Sequence, residues 1–476
     1  MHENTRKQRI QAFFDQLAPD RDDWIKRNQA FYSADWNYMR FLVPEGLKVL
    51  EIGCGTGQLL AALKPSLGVG VDISEEMVEI ARESHPGLEF VVCDAETPAN
   101  IKKLGGPFDV IVLSDTIGLL DDIEATLASL QSLCAPETRI IVAYYSRLWE
   151  PALRLAEKIG GKMPQVEQNW LSPKDIALLL DLADFETVHQ EWKQLLPKHL
   201  LGIGPVVNKY VGTLPGIRNL CLRNYVVARP KPKSARKKPS VSVVIPCRNE
   251  RGNVEAAIKR MPKFSPDMEI VFVEGHSADG TFEEIERVIA AYPDWDIKAF
   301  RQEGKGKGDA MKKGFGEATK DVLMILDADL TVPPETLPKF YNAIARGKGE
   351  FINGSRLIYP MEDGAMRFLN LIANRLFSYL FSWLLSQRLT DTLCGTKVLR
   401  REDYRKIDAN RDYFGDFDPF GDYDLIFGAS KLNLKIAEVP IRYAAREYGE
   451  PQISRFRDGM ILFKMVAFAY RKLKAI

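Results

Sequence analysis

Asp327 and Asp329 close the apolar run VLMILDAD, two carboxylates at i and i+2 with one small residue between them. Just past a strand end, such a pair can bridge a hard divalent cation, and that cation would neutralise a departing nucleoside diphosphate. Upstream, GKGKGDAMKKG sets Lys305, Lys307, Lys312 and Lys313 among glycines. Lysines on a flexible loop supply movable positive charge for a diphosphate. SVSVVIPCRNE is a strand broken by Pro246 and followed by Glu250, and EIVFVEGHSADGT delivers Glu274 into a polar loop containing Asp279.

A second constellation stands far earlier in the chain. VLEIGCGTGQL carries Glu51 and then Gly53, Gly55 and Gly57 at alternate positions. Glycine lets the backbone turn sharply and come close to a ligand while the next helix starts beneath it. VGVDIS places Asp72 at the end of the following strand, where a carboxylate can accept from both ribose hydroxyls. FVVCDAE places Asp94 at the end of a third strand, within reach of an adenine amino group.

The elements that must position these groups alternate between strand and helix. KVLEIG, VGVDIS, LEFVVCD, FDVIVLSD and RIIVAYYS are apolar strand runs separated by helical segments, and a helix and a terminal strand follow. SVSVVIP, EIVFVE and DVLMILDAD restart the same rhythm. Buried β runs alternating with helices predict two α/β domains, each with a doubly wound parallel sheet. The N-terminal stretch, with Trp24, Phe31, Tyr32, Trp36, Tyr38 and Phe41, is expected to form helices over the first site.

Length fits that division, since 476 residues exceed one ordinary domain. The expected boundaries are 1–229 and 240–476, joined by a basic linker over 230–239 within RPKPKSARKKP. Such a cationic run also suits an anionic membrane surface. The net charge of +1 gives no overall bias toward nucleic acid, and none is expected as a partner. Six scattered cysteines without CxxC spacing suit reduced thiols in a cytoplasmic protein, and MHENTRKQRI lacks the apolar segment of a secretory signal.

The first series resembles class I S-adenosylmethionine-dependent methyltransferases over roughly residues 45–150. The resemblance implies that Glu51, Gly53, Gly55 and Gly57 shape the donor loop, Asp72 binds the ribose and Asp94 contacts adenine. Ser114, Asp115 and Thr116 would face the sulfonium, with Asp115 either a base for a hydroxyl acceptor or a helix cap. An NAD-type fold is the other reading of the glycine run. The acceptor is not legible; the aromatic AYYSRLWEP and EQNWLSP segments would wall its pocket or pack as core or lid.

The second series resembles family 2 glycosyltransferases of the GT-A fold, of the polyprenyl-phosphate (dolichol-phosphate mannose) synthase type, over nearly all of 240–457. The resemblance implies that Pro246, Glu250 and Glu274 contact base and ribose and that Asp279 holds their loop. It makes Asp327 and Asp329 the ligands of Mg²⁺ or Mn²⁺. Lys307 would meet the diphosphate. Arg356 and Lys397 would hold the acceptor, and Arg446 a phosphate on it. Asp424 would be the base for a hydroxyl acceptor, with Asp422 as near competitor. Two positions depart from the family pattern: VDDGS stands as VEGHS, and the glutamine two residues past the DxD is Thr331. The base of the donor, uracil or guanine, is left open.

MRFLNLIANRLFSYLFSWLLSQ over 366–387 carries Asn370, Asn374, Ser378, Ser382 and Ser386 as one polar stripe on an otherwise apolar helix. A crossing would split the second site between GSR and DTLCG, so an in-plane helix is expected there, with a second near 458–474. The alternative for both is a dimer or interdomain contact. The whole reads as a bifunctional enzyme, peripheral on the cytoplasmic face of a membrane and able to form homo-oligomers. It would use a UDP- or GDP-sugar, a lipid phosphate acceptor and S-adenosylmethionine. The competing reading is a soluble glycosyltransferase acting on a hydroxyl, with a silent methyltransferase-like binding domain.

Overall fold

A computed structural model describes residues 6–198, 202–232, 238–357, 368–413, 421–444, 446, 448 and 455–476, without the side chains of 368–373 and 455–459. Linker positions 233–237, the first residues of the expected 366–387 helix and the side chain of Asn370 lie outside the described residues. The chain divides into two compact units, Met1–Lys231 with Lys474–Ile476, and Pro232–Leu473.

In the first unit the strands are β1 (Lys48–Ile52), β2 (Leu67–Asp72), β3 (Glu89–Val92), β4 (Phe108–Ser114), β5 (Cys134–Tyr145), β6 (Phe185–Lys193) and β7 (Arg223–Pro230). They form one sheet in the order β3-β2-β1-β4-β5-β7-β6. β1 to β5 are parallel, as expected, whereas β7 runs antiparallel between β5 and β6. This inserted strand runs one residue into the expected linker, ending at Pro230, and Arg229 pairs with Glu186. The strand order reverses between β1 and β4, which opens a crevice at their carboxyl ends. Helices Arg6–Leu17, Arg21–Arg27 and Gln29–Leu42 precede the sheet.

The second unit repeats the logic with β8 (Val241–Cys247), β9 (Met268–Glu274), β10 (Asp296–Arg301), β11 (Val322–Ile325), β12 (Phe351–Ser355), β13 (Lys397–Arg400) and β14 (Ile436–Pro440). The order is β10-β9-β8-β11-β13-β12-β14, with β13 antiparallel to both its neighbours. The sheet is therefore mixed rather than wholly parallel. Its switch point falls between β8 and β11. Pro246 is tolerated in this central strand because the β8–β11 ladder ends at Val244, leaving Pro246 aligned only with β9.

The helix Phe368–Leu385 turns its polar stripe inward. Asn374 Nδ2 donates to Asp391 at 3.2 Å, Ser378 Oγ to the Thr390 carbonyl, and Ser382 Oγ to the Leu389 carbonyl at 3.0 Å. The stripe thus holds the loop after the helix instead of meeting water. The opposite side exposes Leu376 and Tyr379, at 49% and 62%. Helix Arg455–Ala469 packs alongside through Phe463 on Phe377, ring centroids 5.0 Å apart, and it exposes Met460. No helix among the described residues is long and apolar enough to cross a membrane.

Candidate functional sites

In the first unit, β1 runs out at Glu51 and Ile52 into a turn whose three glycines all have positive φ. Gly53 (φ 73°) is packed tightly, since a Cβ there would collide with the Thr116 side chain at the end of β4. At Gly55 (φ 51°) a Cβ would meet ordinary contacts only, Arg21 Nε at 3.8 Å and Met77 Sδ at 4.0 Å. The Gly55 N–H donates to Asp72 Oδ2 at 2.8 Å and the Ser74 N–H to Asp72 Oδ1 at 3.0 Å. Burial nevertheless lifts Asp72 above the usual carboxylate range.

Glu51 is 2% exposed, and its Oε2 has no hydrogen-bond partner among the described residues. Burial pushes its pKa up to about 8. A buried acceptor without a partner among the described residues, beside a glycine turn, fits the cationic amino-acid end of S-adenosylmethionine. The N-terminal helices clasp this turn as expected. Asp22 accepts from Thr56 Oγ1 at 2.6 Å and from Gln58 Nε2 at 2.8 Å, and Asp15 accepts from Ser74 Oγ at 2.6 Å.

Two expected site residues of this unit are held by protein partners. Asp94 is engaged by Lys7 Nζ at 2.9 Å and by the Glu96 N–H at 3.0 Å. Burial opposes its ionisation, but Lys7 and the Glu96 N–H outweigh it and hold the carboxyl low. An ion pair thus stands where an adenine contact was expected. Asp115 (φ 63°) is ion-paired with Arg223, whose Nη2 also donates to Ser114 Oγ at 2.9 Å and whose Nε donates to Asp35 at 2.8 Å. Burial raises the Asp115 pKa and Arg223 opposes it. A carboxylate bound to a buried guanidinium must give up that ion pair to take a proton. Sequence reasoning missed Arg223 and Asp35. Of the aromatic pair, Tyr144 is core and donates to the Asn169 carbonyl at 2.6 Å, while Tyr145 stacks on Phe31 at 5.8 Å.

In the second unit the expected residues converge on two ion-pair centres. Lys307 Nζ is 2.7 Å from Asp327 and 3.6 Å from Asp422. Arg446 Nη2 is 2.6 Å from Asp329, and its Nη1 is 3.5 Å from Glu250. Burial opposes ionisation of Asp327, but Lys307, then Lys397 and Arg356, hold its pKa down. Gly395 is required by the same packing, because a Cβ there would collide with the Asp327 carboxylate. Thr331 caps the acidic turn by donating its N–H and Oγ1 to Asp329 at 3.2 and 2.8 Å. Glu250 is buried, which raises its pKa against Asn253 and Arg446. Glu274 accepts from the Ser277 N–H, and Asp279 from the N–H groups of Thr281 and Arg251 at 3.1 and 3.2 Å. These bonds fix the polar loop at the end of β9.

Three placements differ from expectation. Arg356 is 8% exposed and clamps Asp391 through Nε at 2.7 Å and Nη2 at 2.8 Å. Lys397 is fully buried, with Nζ donating to the Cys394 carbonyl. Neither presents an open cation to an acceptor; both act on the site through their field at Asp327. Asp424 pairs with Arg411 at 3.1 Å, so Asp422 is the carboxylate that reaches Lys307. Among the described residues no group of three or more acidic, His or Cys side chains could hold a metal ion. Two hard carboxylates neutralised by side-chain cations still suit a divalent ion whose other ligands come from a diphosphate and water.

Residues 242–408 match the family model described as glycosyl transferase family 2, and residues 9–190 match a methyltransferase domain model. The chain is 30% identical over 241 residues to a dolichol-phosphate mannosyltransferase of Pyrococcus furiosus, covering 49% of this chain and 64% of that protein. It is 27% identical over 249 residues to a polyprenol monophosphomannose synthase of Mycolicibacterium smegmatis, covering 50% of this chain and 91% of that one. A solved S-adenosylmethionine-dependent methyltransferase of Thermotoga maritima is 21% identical, at a TM-score of 0.36, covering 47% of this chain and all of that one. Each of the two α/β units thus carries its own family match, a methyltransferase domain over residues 9–190 and glycosyl transferase family 2 over residues 242–408.

Proposed function

We propose that the C-terminal domain transfers a sugar from a nucleotide sugar to a polyprenyl phosphate or another lipid-linked acceptor, with inversion. The observation that carries this reading is the convergence of Asp327, Asp329, Lys307, Asp422 and Arg446 at the β8–β11 switch point. Glu250, Glu274 and Asp279 lie on the loops beside it, where base and ribose would bind. A divalent cation held by Asp327 and Asp329 would neutralise the leaving diphosphate. Lys307 supplies a further positive charge to that group, already positioned and partly desolvated. The acceptor oxygen forms its bond to the anomeric carbon as the bond to the diphosphate breaks. A phosphate acceptor arrives ionised and needs no base, and Arg446 is the cation placed to meet it. If the acceptor is a hydroxyl, Asp422 is the carboxylate at hand to take its proton.

The N-terminal domain is read as an S-adenosylmethionine-dependent methyltransferase, supported by the positive-φ glycine turn, the buried Glu51 and the Asp72 carboxylate beside the turn. Methyl transfer is an in-line displacement, so the domain's contribution is chiefly alignment. Exposed Leu376, Tyr379, Met460 and Phe463 support peripheral attachment to the cytoplasmic face of a membrane. The assay is a screen of UDP- and GDP-sugars with Mg²⁺ or Mn²⁺ and a polyprenyl phosphate, reading product by mass. Calorimetry with S-adenosylmethionine separates a working methyltransferase site from a silent docking module: absence of binding would end the first claim.

A further inference from the structure

We propose that the methyl acceptor of the N-terminal domain is an anionic oxygen, a carboxylate or phosphate group, received by Lys162. This inference rests on the methyltransferase reading and names the substrate class of that site.

The end of β4 offers no base. Asp115, the carboxylate directly after β4, is bound to Arg223, which is also held by Asp35. Those three charges leave their local network with a single negative charge in excess. Two more cations lie close by, and neither has a carboxylate within ion-pair distance among the described residues. Arg21 donates Nη1 to Tyr32 Oη at 3.1 Å and to Met163 Sδ at 3.0 Å. Lys162 Nζ stands 5.3 Å over the Tyr145 ring. With both counted, and with Glu157 acting on Lys162 as well, the charges of the cluster balance, yet no carboxylate among the described residues pairs directly with Lys162.

The two cations divide the site between them. Arg21 lies over the glycine turn, its Nε 3.8 Å from a Gly55 Cβ position, and so faces the cofactor's side. Lys162 is the cation left for the acceptor. Its place is fixed by the next residue, Met163, which is buried in a cluster with Leu17, Ala18 and Met77. Its floor is Tyr145, 5% exposed and stacked on Phe31. Over such an apolar floor a charge pair is stronger than in water, and an unpaired ammonium is correspondingly costly. The Lys162 pKa reflects this: desolvation takes it down to about 8 although Asp115 and Glu157 pull it up. A ligand anion would relieve that cost.

The chemistry balances without a protein base. The ionised oxygen forms a bond to the methyl carbon, the S–CH₃ bond breaks with its electron pair passing to sulfur, and the sulfonium becomes a neutral thioether. No proton moves, which agrees with an Asp115 committed to Arg223.

The test is calorimetry on the full chain loaded with S-adenosylhomocysteine, titrated with benzoate, phenyl phosphate and the neutral benzamide. The anions should bind about tenfold or more tightly than benzamide. Lys162→Gln should remove that preference, and Lys162→Arg should keep most of it, with the affinity for S-adenosylhomocysteine unchanged in both. Equal affinity for benzamide and the anions, or a preference that survives Lys162→Gln, overturns the proposal. Failure of wild type to bind S-adenosylhomocysteine at all would instead remove the methyltransferase reading beneath it.

Discussion

Lys307 Nζ joins Asp327, 2.7 Å away, to Asp422, 3.6 Å away, so one ammonium links the DxD turn to the start of the helix Tyr423–Lys431. Burial opposes its charge, yet Asp327 and Asp422 hold the Lys307 pKa well above the ordinary lysine range. Lys307 is therefore a fixed cation at the point where a diphosphate would develop charge. Lys307→Gln is expected to lower kcat for sugar transfer by roughly 10²-fold, with donor binding weakened less. Steady-state kinetics with the identified donor check this; an unchanged kcat would remove Lys307 from the transition-state site.

Gly395 gives a narrower probe of the same carboxylate. Its Cβ position coincides with the Asp327 side chain, so Gly395→Ala must move that carboxylate. Sugar transfer should fall at least tenfold while S-adenosylmethionine binding, a property of the other domain, stays at the wild-type value. Parallel activity assay and calorimetry on one preparation separate this from global misfolding.

Glu51 links cofactor binding to pH. Its folded pKa, about 8, stands above the ordinary carboxylate value, so the protonated form is the one the folded domain favours. The stabilisation is fully present below about pH 4.5 and is lost as pH rises through about 8. The melting temperature of the ligand-free protein should therefore decline between those limits through this group. Glu51→Gln should flatten the decline and raise the melting temperature at pH 8 to 9 while weakening S-adenosylmethionine binding. Thermal melts across pH, with and without ligand, measure both effects.

Arg356 and Asp391 behave in the opposite sense. Burial opposes the Asp391 charge, but Arg356 outweighs it and takes the carboxyl down to about 2, so this pair's contribution persists until strongly acid pH. Asp391→Asn would leave a buried guanidinium without its carboxylate, at a cost of about 3–5 kcal/mol. Chemical denaturation should show that loss in the glycosyltransferase domain's transition.

Membrane attachment makes a separate claim. Replacing Leu376, Tyr379 and Met460 together by serine removes exposed apolar surface while leaving the Phe463–Phe377 contact between the two helices in place. Flotation with anionic vesicles should recover wild type in the lipid fraction and much less of the variant. Equal recovery would favour a protein contact on this face.

Glu51, Asp72, Glu274 and Asp327 are legible in the sequence because apolar strand runs end on them, and a strand's end fixes where its next polar group points. Arg223 is not legible: it opens β7, a strand inserted antiparallel and placed directly before the basic stretch, preceded only by short helical turns. The pairs that redefine the sites join residues far apart in the chain, Arg223 with Asp115 across 108 positions and Arg446 with Asp329 across 117. Local periodicity carries no information about such partners. The helix Phe368–Leu385 shows a related limit. Its pattern reveals a polar stripe, but only the contacts of Asn374, Ser378 and Ser382 show that the stripe faces the protein.

The most direct measurement is mass analysis of the lipid product when purified protein is incubated with a panel of UDP- and GDP-sugars, Mg²⁺ or Mn²⁺, and a polyprenyl phosphate. A glycosylated polyprenyl phosphate should form with wild type, disappear on chelation of the metal, and be absent with Asp329→Ala. Undiminished product from Asp329→Ala, or no product from any donor in the panel, would contradict the account.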